Sequence, residues 1–439
     1  MILRNLYDSH CHLLDTGEAA MGLSLSAMLD PEELRELEIK KEWLRGDWLY
    51  GFGWNENNFV DRQLPSISLL DELFPDRPVL LSRADGHSSW VNSEALRRIG
   101  FLSNNGTLKD DPPGGQILRG ADGAATGILR ESAHIRALRS LPPLSSTQVR
   151  DFLLKAQEIF HRAGFTHVRE MTCRPLQWST LLELEHSGDL KLFVENNFVC
   201  EGLDDFDSVL KFAKEAKSSE GRFVKAVGIK LFVDGSLGSD TALLSRPYGN
   251  KPETTGLQLW PDEVIEEVIR RTWDSGLEVA LHTIGDAAVD KVVEIARKIY
   301  NHGGSGWLNL EHVEVLRPET IQKMKSLHVR CHLQPCHWLS DKKFLDEKLG
   351  ELKDCVFPWR PLEAAKVEMQ FGSDSPIERP DAFANLRAVR ESAGFGIAPL
   401  KGDFWSYHQH KDSPVHGETI CHGKEIKSVC FDGKIVYAS

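Results

Sequence analysis

Between about residues 145 and 375 the chain alternates apolar runs with segments of helical periodicity, and this alternation limits the fold more than any other feature. Runs at 165–171, 190–200, 226–233, 277–283, 307–315, 328–334 and 367–372 read as strands. Helices are expected between them at 261–274, 287–300 and 318–325, and one at 146–162 leads in, with Ser146 as its cap and Gly164 past its end. A further strand ending at 8–12 brings the number of strands to eight. Strand–helix alternation repeated in this way is the pattern of a TIM (β/α)8 barrel in the α/β class.

The stretch 13–145 is too long for one barrel loop and carries structure of its own. Asn92 and Ser93 cap a helix over 94–99 that stops at Gly100, and 127–141 reads as helical before Pro142 and Pro143. The span 104–127, rich in Gly, Asp and Pro, reads as a loop or short hairpin. Residues 426–437 alternate apolar and polar around Asp432–Gly433, a hairpin signal. The expected organisation is a barrel in 1–12 and 146–405, an insertion in 13–145 covering the active-site mouth, and a C-terminal tail in 406–439 that forms a reduced accessory β element.

Composition narrows the function. The 439 residues, 41% hydrophobic, can bury a large core. A formal charge of -13, from 52 Lys+Arg against 65 Asp+Glu, with no basic run, argues against nucleic acid and for a small-molecule substrate. The start has no signal-peptide layout and no stretch approaches the ~18 apolar residues of a membrane span, so a soluble, cytoplasmic protein without a membrane partner is expected, and a homodimer is compatible. Eight cysteines in so long a chain do not make a disulfide framework.

Lys230 stands inside the apolar run 226–233, where an ammonium loses several pKa units to desolvation unless it gains a partner or is converted chemically. Carbon dioxide would turn it into a carbamate, an oxygen ligand for metal. His10 and His12, two apart at a strand end, point to one side as a metal pair must. His282, His312 and Asp374 fall near the carboxyl ends of the fifth, sixth and eighth expected strands, where barrel active sites are built. Any one of these could be an ordinary buried or loop residue, but their coincidence reads as a site for two divalent ions. His10, His12 and Asp374 would hold one ion, His282 and His312 the other, with carboxylated Lys230 bridging. A hydroxide shared by the ions would attack a carbonyl polarised by the second, while Asp374 takes the proton and passes it to the leaving group.

These residues lie in the stretches DSHCH, IKLFVDGSLGS, LHTIGDAAVD, LEHVEVL and FGSDSP. Together they resemble the amidohydrolase superfamily, in the type-3 branch that includes N-substituted formamide deformylases. Gly53–Asn55, Asp85–Ser93, Thr126–Glu131, Gln334–Pro335 and Ser340–Asp341 are also similar to that branch. The resemblance implies a binuclear, zinc-type site with Lys230 as the carbamate. Two departures stand out. Only a few residues precede the His10 strand where relatives have a longer β segment, and Asp240 stands where relatives have a basic residue, so substrate preference does not carry over.

His87, in the insertion, and His337 are candidate substrate contacts, and Asp234 and Asp286 are expected to orient backbone or ligands. Cys331–His332 and Cys336–His337 superficially suggest a structural zinc site, but neighbours on a strand face opposite sides. Trp54, Trp90 and Trp338 could line an apolar pocket. The expected activity is hydrolysis of a C–N bond in an amide, formamide or cyclic amide. The rivals are an esterase or lactonase using the same site, and a metal-stabilised binding protein without catalysis.

Overall fold

The computed structural model describes residues 1–103 and 105–439. The chain divides into two compact units, one formed by residues 1–17 with 149–439 and the other by 18–148.

The larger unit is built on eight parallel strands: β1 (Tyr7–Cys11), β2 (His167–Cys173), β3 (Phe193–Val199), β4 (Val224–Phe232), β5 (Glu278–Thr283), β6 (Leu308–His312), β7 (Val329–Leu333) and β8 (Glu368–Phe371). Each pairs with its neighbour in chain order from β1 to β8. The sheet curls toward closure through its carboxyl ends, where Asp374 N donates to His10 O (2.8 Å) and His12 N donates to Ser375 O (2.8 Å). The TIM-barrel expectation therefore holds. Helix Ser146–Arg162 shows why: Val149, Phe152, Leu153, Ala156 and Phe160 recur at three- and four-residue spacing and are buried, the stripe that packs a helix on a sheet. Helices Asp262–Asp274, Asp286–Asn301 and Pro318–Met324 lie within two residues of expectation.

The accessory sheet has four antiparallel strands, Ile2–Arg4, Gly417–His422, Glu425–Phe431 and Lys434–Ala438. Asp432 (φ 48°) and Gly433 (φ 78°) make its hairpin turn, with both central residues left-handed as in a type I′ turn. The tail does not form this element alone: Ile2 pairs with Ile420 and Arg4 with Glu418. A three-residue strand is too short to display a periodicity, which is why the N-terminal contribution was invisible.

The smaller unit holds a seven-stranded mixed sheet with apolar cores on both faces. Helix Ser93–Ile99 begins at Asn92, whose side chain accepts from Ala95 N (2.9 Å), and ends at left-handed Gly100. The helix expected over 127–141 is corrected. Ala125–Glu131 is a strand and only Ser132–Arg139 is helical. Ile128 packs into one core and Leu129 into the other, so adjacent apolar residues mimic a helical stripe. That strand forms a hairpin with Gly115–Arg119; Asn104, where the expected loop or hairpin begins, lies outside the described residues. Among the described residues no helix is long and apolar enough to cross a membrane.

Candidate metal centre

The predicted ligands lie at the carboxyl ends of the barrel strands. His10 is in β1 with His12 just beyond it, Lys230 is in β4, His282 in β5, His312 ends β6 and Asp374 follows β8. Parallel register sets Phe232 beside His282 and Thr283 beside His312. Asp374 reaches the histidines because the loop after β8 is zipped onto β1; a Cβ at Gly372 would sit 2.6 Å from His10 N, so only glycine permits this approach. Asp374 Oδ1 then lies 3.0 Å from His12 Nε2 and 3.3 Å from His10 Nε2. The His312 ring is 4.7 Å from that of His10 and 4.4 Å from that of His282. His312 (φ 74°) and Asp374 (φ 59°) are both left-handed non-glycine residues, strain of the kind held at working sites.

Hydrogen bonds behind the rings assign their tautomers. His10 Nδ1 is 2.6 Å from Glu311 Oε2, a carboxylate that only accepts, so Nδ1 carries the proton. Thr172 donates its hydroxyl to Glu170 Oε1 (3.0 Å) and therefore accepts from His12 Nδ1 (3.1 Å). Gln334 donates its amide nitrogen to His332 O, which turns its Oε1 toward His312 Nδ1 (2.8 Å). All three Nε2 atoms are left bare in the neutral rings. Glu311 is held in turn by Arg169 Nη1 (2.8 Å). Glu311, Arg169, Glu170, Thr172 and Gln334 were not singled out in the sequence in these roles. A fully buried carboxylate beside His312 on an apolar strand was the one signal available.

Asp234 accepts from the backbone N of Leu243 (2.9 Å), Ile284 (3.0 Å) and Gly285 (2.8 Å), fixing the turn after β5. Asp286 accepts from Ser245 N (2.9 Å) and lies 2.8 Å from Arg317 Nε. Both order the loops around His282. Asp240 is ion-paired with Lys348 (2.6 Å) and Lys251, and Lys348 also donates to Leu237 O (2.9 Å) and Gly238 O (2.8 Å), so its charge staples the loop after β4. His337 Nδ1 is 2.8 Å from Glu314 Oε1, and its Nε2 is 3.6 Å from Asp374 Oδ2. In the smaller unit, His87 Nδ1 lies 2.9 Å from Glu131 Oε2 and its backbone N donates to Asp85 Oδ1 (3.1 Å). Among the described residues no cysteine joins a group of candidate ligands.

Burial favours a neutral Lys230 and takes its pKa down to about 8, against the pull of Glu311 and Asp374. Burial alone would raise Asp374, but His10, His12 and His312 hold it well below the carboxylate range. His12 is shifted up, burial being outweighed by Asp374. Burial lowers His312, reinforced by His282 and His10. His337 rises to about 10, as Glu314, Asp374 and Asp341 overcome burial.

These residues fit a divalent cation. His10 Nε2, Asp374 Oδ1 and Lys230 Nζ are buried without a hydrogen-bond partner among the described residues. Two bare ring nitrogens facing one carboxylate oxygen repel unless a proton or a cation lies among them, and nitrogen with carboxylate oxygen is a donor set suited to zinc. His10, His312 and Asp374 each offer a ligand atom within 4.8 Å of one another.

A model of the amidohydrolase family matches residues 6–390. The chain belongs to that family, in its type-3 branch. It is similar to YtcJ of Bacillus subtilis (strain 168), provisionally named an amidohydrolase: 32% identity, covering 93% of this chain and 76% of YtcJ. It is 21% identical to the N-substituted formamide deformylase of Arthrobacter pascens over 75% of this chain and 62% of that one. A solved structure of an uncharacterized metal-dependent hydrolase from Pyrococcus furiosus matches with a TM-score of 0.65 and 30% identity, over 88% of this chain and 76% of that one. This amidohydrolase is thus a metal-dependent hydrolase acting on carbon–nitrogen bonds.

Proposed function

We propose that this amidohydrolase opens the C–N bond of an amide, formamide or cyclic amide at a site for two divalent ions, zinc fitting the donor set best. His10, His12 and Asp374 would hold one ion, His282 and His312 the other, with Lys230 as a carbamate between them. The observation that carries this reading is Lys230: a fully buried lysine whose Nζ has no hydrogen-bond partner among the described residues, facing the same interior as Glu311 and Asp374. Its pKa, lowered to about 8, gives a larger share of free amine near neutral pH than an exposed lysine has, and that amine forms an N–C bond to carbon dioxide and releases a proton. The product is an anion with two oxygen donors in place of a buried amine.

When bound, the ions supply Lewis acidity that makes water acidic near neutral pH and polarises the scissile carbonyl. The chain's own groups do the rest. Asp374 takes the proton of the attacking water at its carboxylate and delivers it to the leaving nitrogen. Glu311, Thr172 and Gln334 keep the rings of His10, His12 and His312 in the tautomers that leave Nε2 bare. His337 contacts the substrate. The names of the Bacillus and Arthrobacter relatives support carbon–nitrogen chemistry at this site.

The test is metal analysis of the purified protein followed by a panel of formamides, linear amides, cyclic amides and matched esters. Two ions per chain, amide turnover, and loss of at least one ion in Lys230→Ala are expected. Full metal content in Lys230→Ala would refute the bridge. Turnover confined to esters and lactones would refute the amide assignment.

A further inference from the structure

We infer that Glu314 is a positioning residue that holds the His337 ring with Nε2 turned toward Asp374, where it hydrogen-bonds the reacting group of the substrate. The inference rests on the hydrolase reading above and adds a residue to it. Glu314 follows His312 by two positions, and the chain reaches it through two successive left-handed residues, His312 (φ 74°) and Val313 (φ 49°). That kink turns the strand end back toward the barrel mouth. The backbone is then clamped on both sides, since Phe357 N donates to Glu314 O (2.7 Å) and Val315 N donates to Ile284 O (3.0 Å). Glu314 is thus a fixed post, 3% exposed.

Its Oε1 accepts from His337 Nδ1 at 2.8 Å. The other end of the ring, Nε2, is buried without a hydrogen-bond partner among the described residues and lies 3.6 Å from Asp374 Oδ2. That separation is too long for a direct hydrogen bond, and it is the spacing of two groups that share a third. The ring is also stacked on that of His312, with centroids 5.8 Å apart and 14° between planes, which sets its tilt. Asp374 works at the scissile bond, so an imidazole edge beside it meets the carbonyl oxygen or the nitrogen of the same group.

His312, Glu314 and His337 also offer ligand atoms within 4.8 Å of one another, which makes a ligand role the direct rival. Zinc content separates the two roles: removing a ligand lowers it, whereas removing a residue that only holds the His337 ring leaves it unchanged.

The test uses Glu314→Gln, Glu314→Ala, His337→Asn and the Glu314→Ala/His337→Asn double variant in the zinc-loaded full chain. Two probes are read: hydrolysis of 4-nitroformanilide, which releases coloured 4-nitroaniline, and calorimetric binding of phenylphosphonate, a tetrahedral anion that needs no turnover. Zinc content is expected to stay at the wild-type value in all four. His337→Asn and Glu314→Ala should each lower kcat/KM and phosphonate affinity by roughly tenfold, the worth of one hydrogen bond. Glu314→Gln, which keeps an acceptor, should retain most of both, and the double variant should be no worse than the worse single. Weaker phosphonate binding in these variants without amide turnover by the wild type would sustain the positioning role and sink the amide assignment. Loss of zinc in Glu314→Ala, additive losses in the double variant, or wild-type kcat/KM and phosphonate affinity in both single truncations would each overturn the inference.

Discussion

Replacing Glu311 by Gln should weaken zinc binding through the proton on His10, although Glu311 is not itself a proposed ligand. In the native chain both oxygens of Glu311 accept, one from His10 Nδ1 at 2.6 Å and one from Arg169 Nη1 at 2.8 Å. Gln offers one acceptor and one donor. Arg169 can only donate and is 2% exposed, so it claims the amide oxygen. The amide nitrogen then faces His10 Nδ1, which must give up its proton and become an acceptor. The proton moves to Nε2, the atom that faces Asp374 at 3.3 Å, and a protonated Nε2 cannot ligate. Loss of such a partner typically costs ~10–100-fold in metal affinity, or about 1.4–2.7 kcal/mol. Stability should fall as well, because Arg169 keeps a neutral partner in place of an anionic one, a loss of roughly 1–2 kcal/mol. Zinc affinity measured by competition with a chromophoric chelator, alongside urea denaturation of the metal-free protein, separates the two effects. Wild-type zinc affinity in Glu311→Gln, with His10→Ala losing the ion as expected, would refute the tautomer argument.

Asp374→Asn keeps the shape but removes the base, so turnover should drop by roughly a hundredfold or more with the circular dichroism spectrum unchanged; near-normal turnover would exclude Asp374 as the proton carrier. His161 and His408, each lowered to about 4 by burial, and His167, lowered to about 3 mainly by burial and then by His410, should make the barrel unit acid-labile. Their folded-state values lie below the unfolded ~6.5, so the unfolded chain takes up protons first and stability declines as pH falls from about 6.5 toward 4. The slope is up to about 1.4 kcal/mol per pH unit for each group, to be read as urea midpoints at pH 7.5 and 5.5; equal midpoints would show that these rings protonate freely in the fold. His87→Ala should change KM or substrate preference and leave zinc content intact, and unchanged kinetics across the amide panel would remove His87 from substrate binding.

Much of the barrel was legible in the sequence because strands and helices announce themselves by local spacing: the expected strands overlap the observed β1 to β8, with ends displaced by no more than three residues. The ligand types were legible for a related reason. A lysine in an apolar strand and histidines at strand ends violate the local rule for burial, and a violation is visible without knowing the fold. The exceptions were places where local pattern is ambiguous. Ile128 and Leu129 enter different cores of one sheet, and Ile2–Arg4 borrows its strand character from Gly417–His422, more than four hundred residues away. What only the tertiary structure decided was the set of partners that tune each ligand. Glu311 meets His10 and Arg169 across the barrel interior, Gln334 meets His312 from just past β7, and Glu314 in a loop meets His337 in helix Pro335–Asp341. Each pair joins residues separated by 22 to 301 positions. A hydrogen bond depends on tenths of an ångström and on direction, and no one-dimensional periodicity encodes either until the strands are laid side by side.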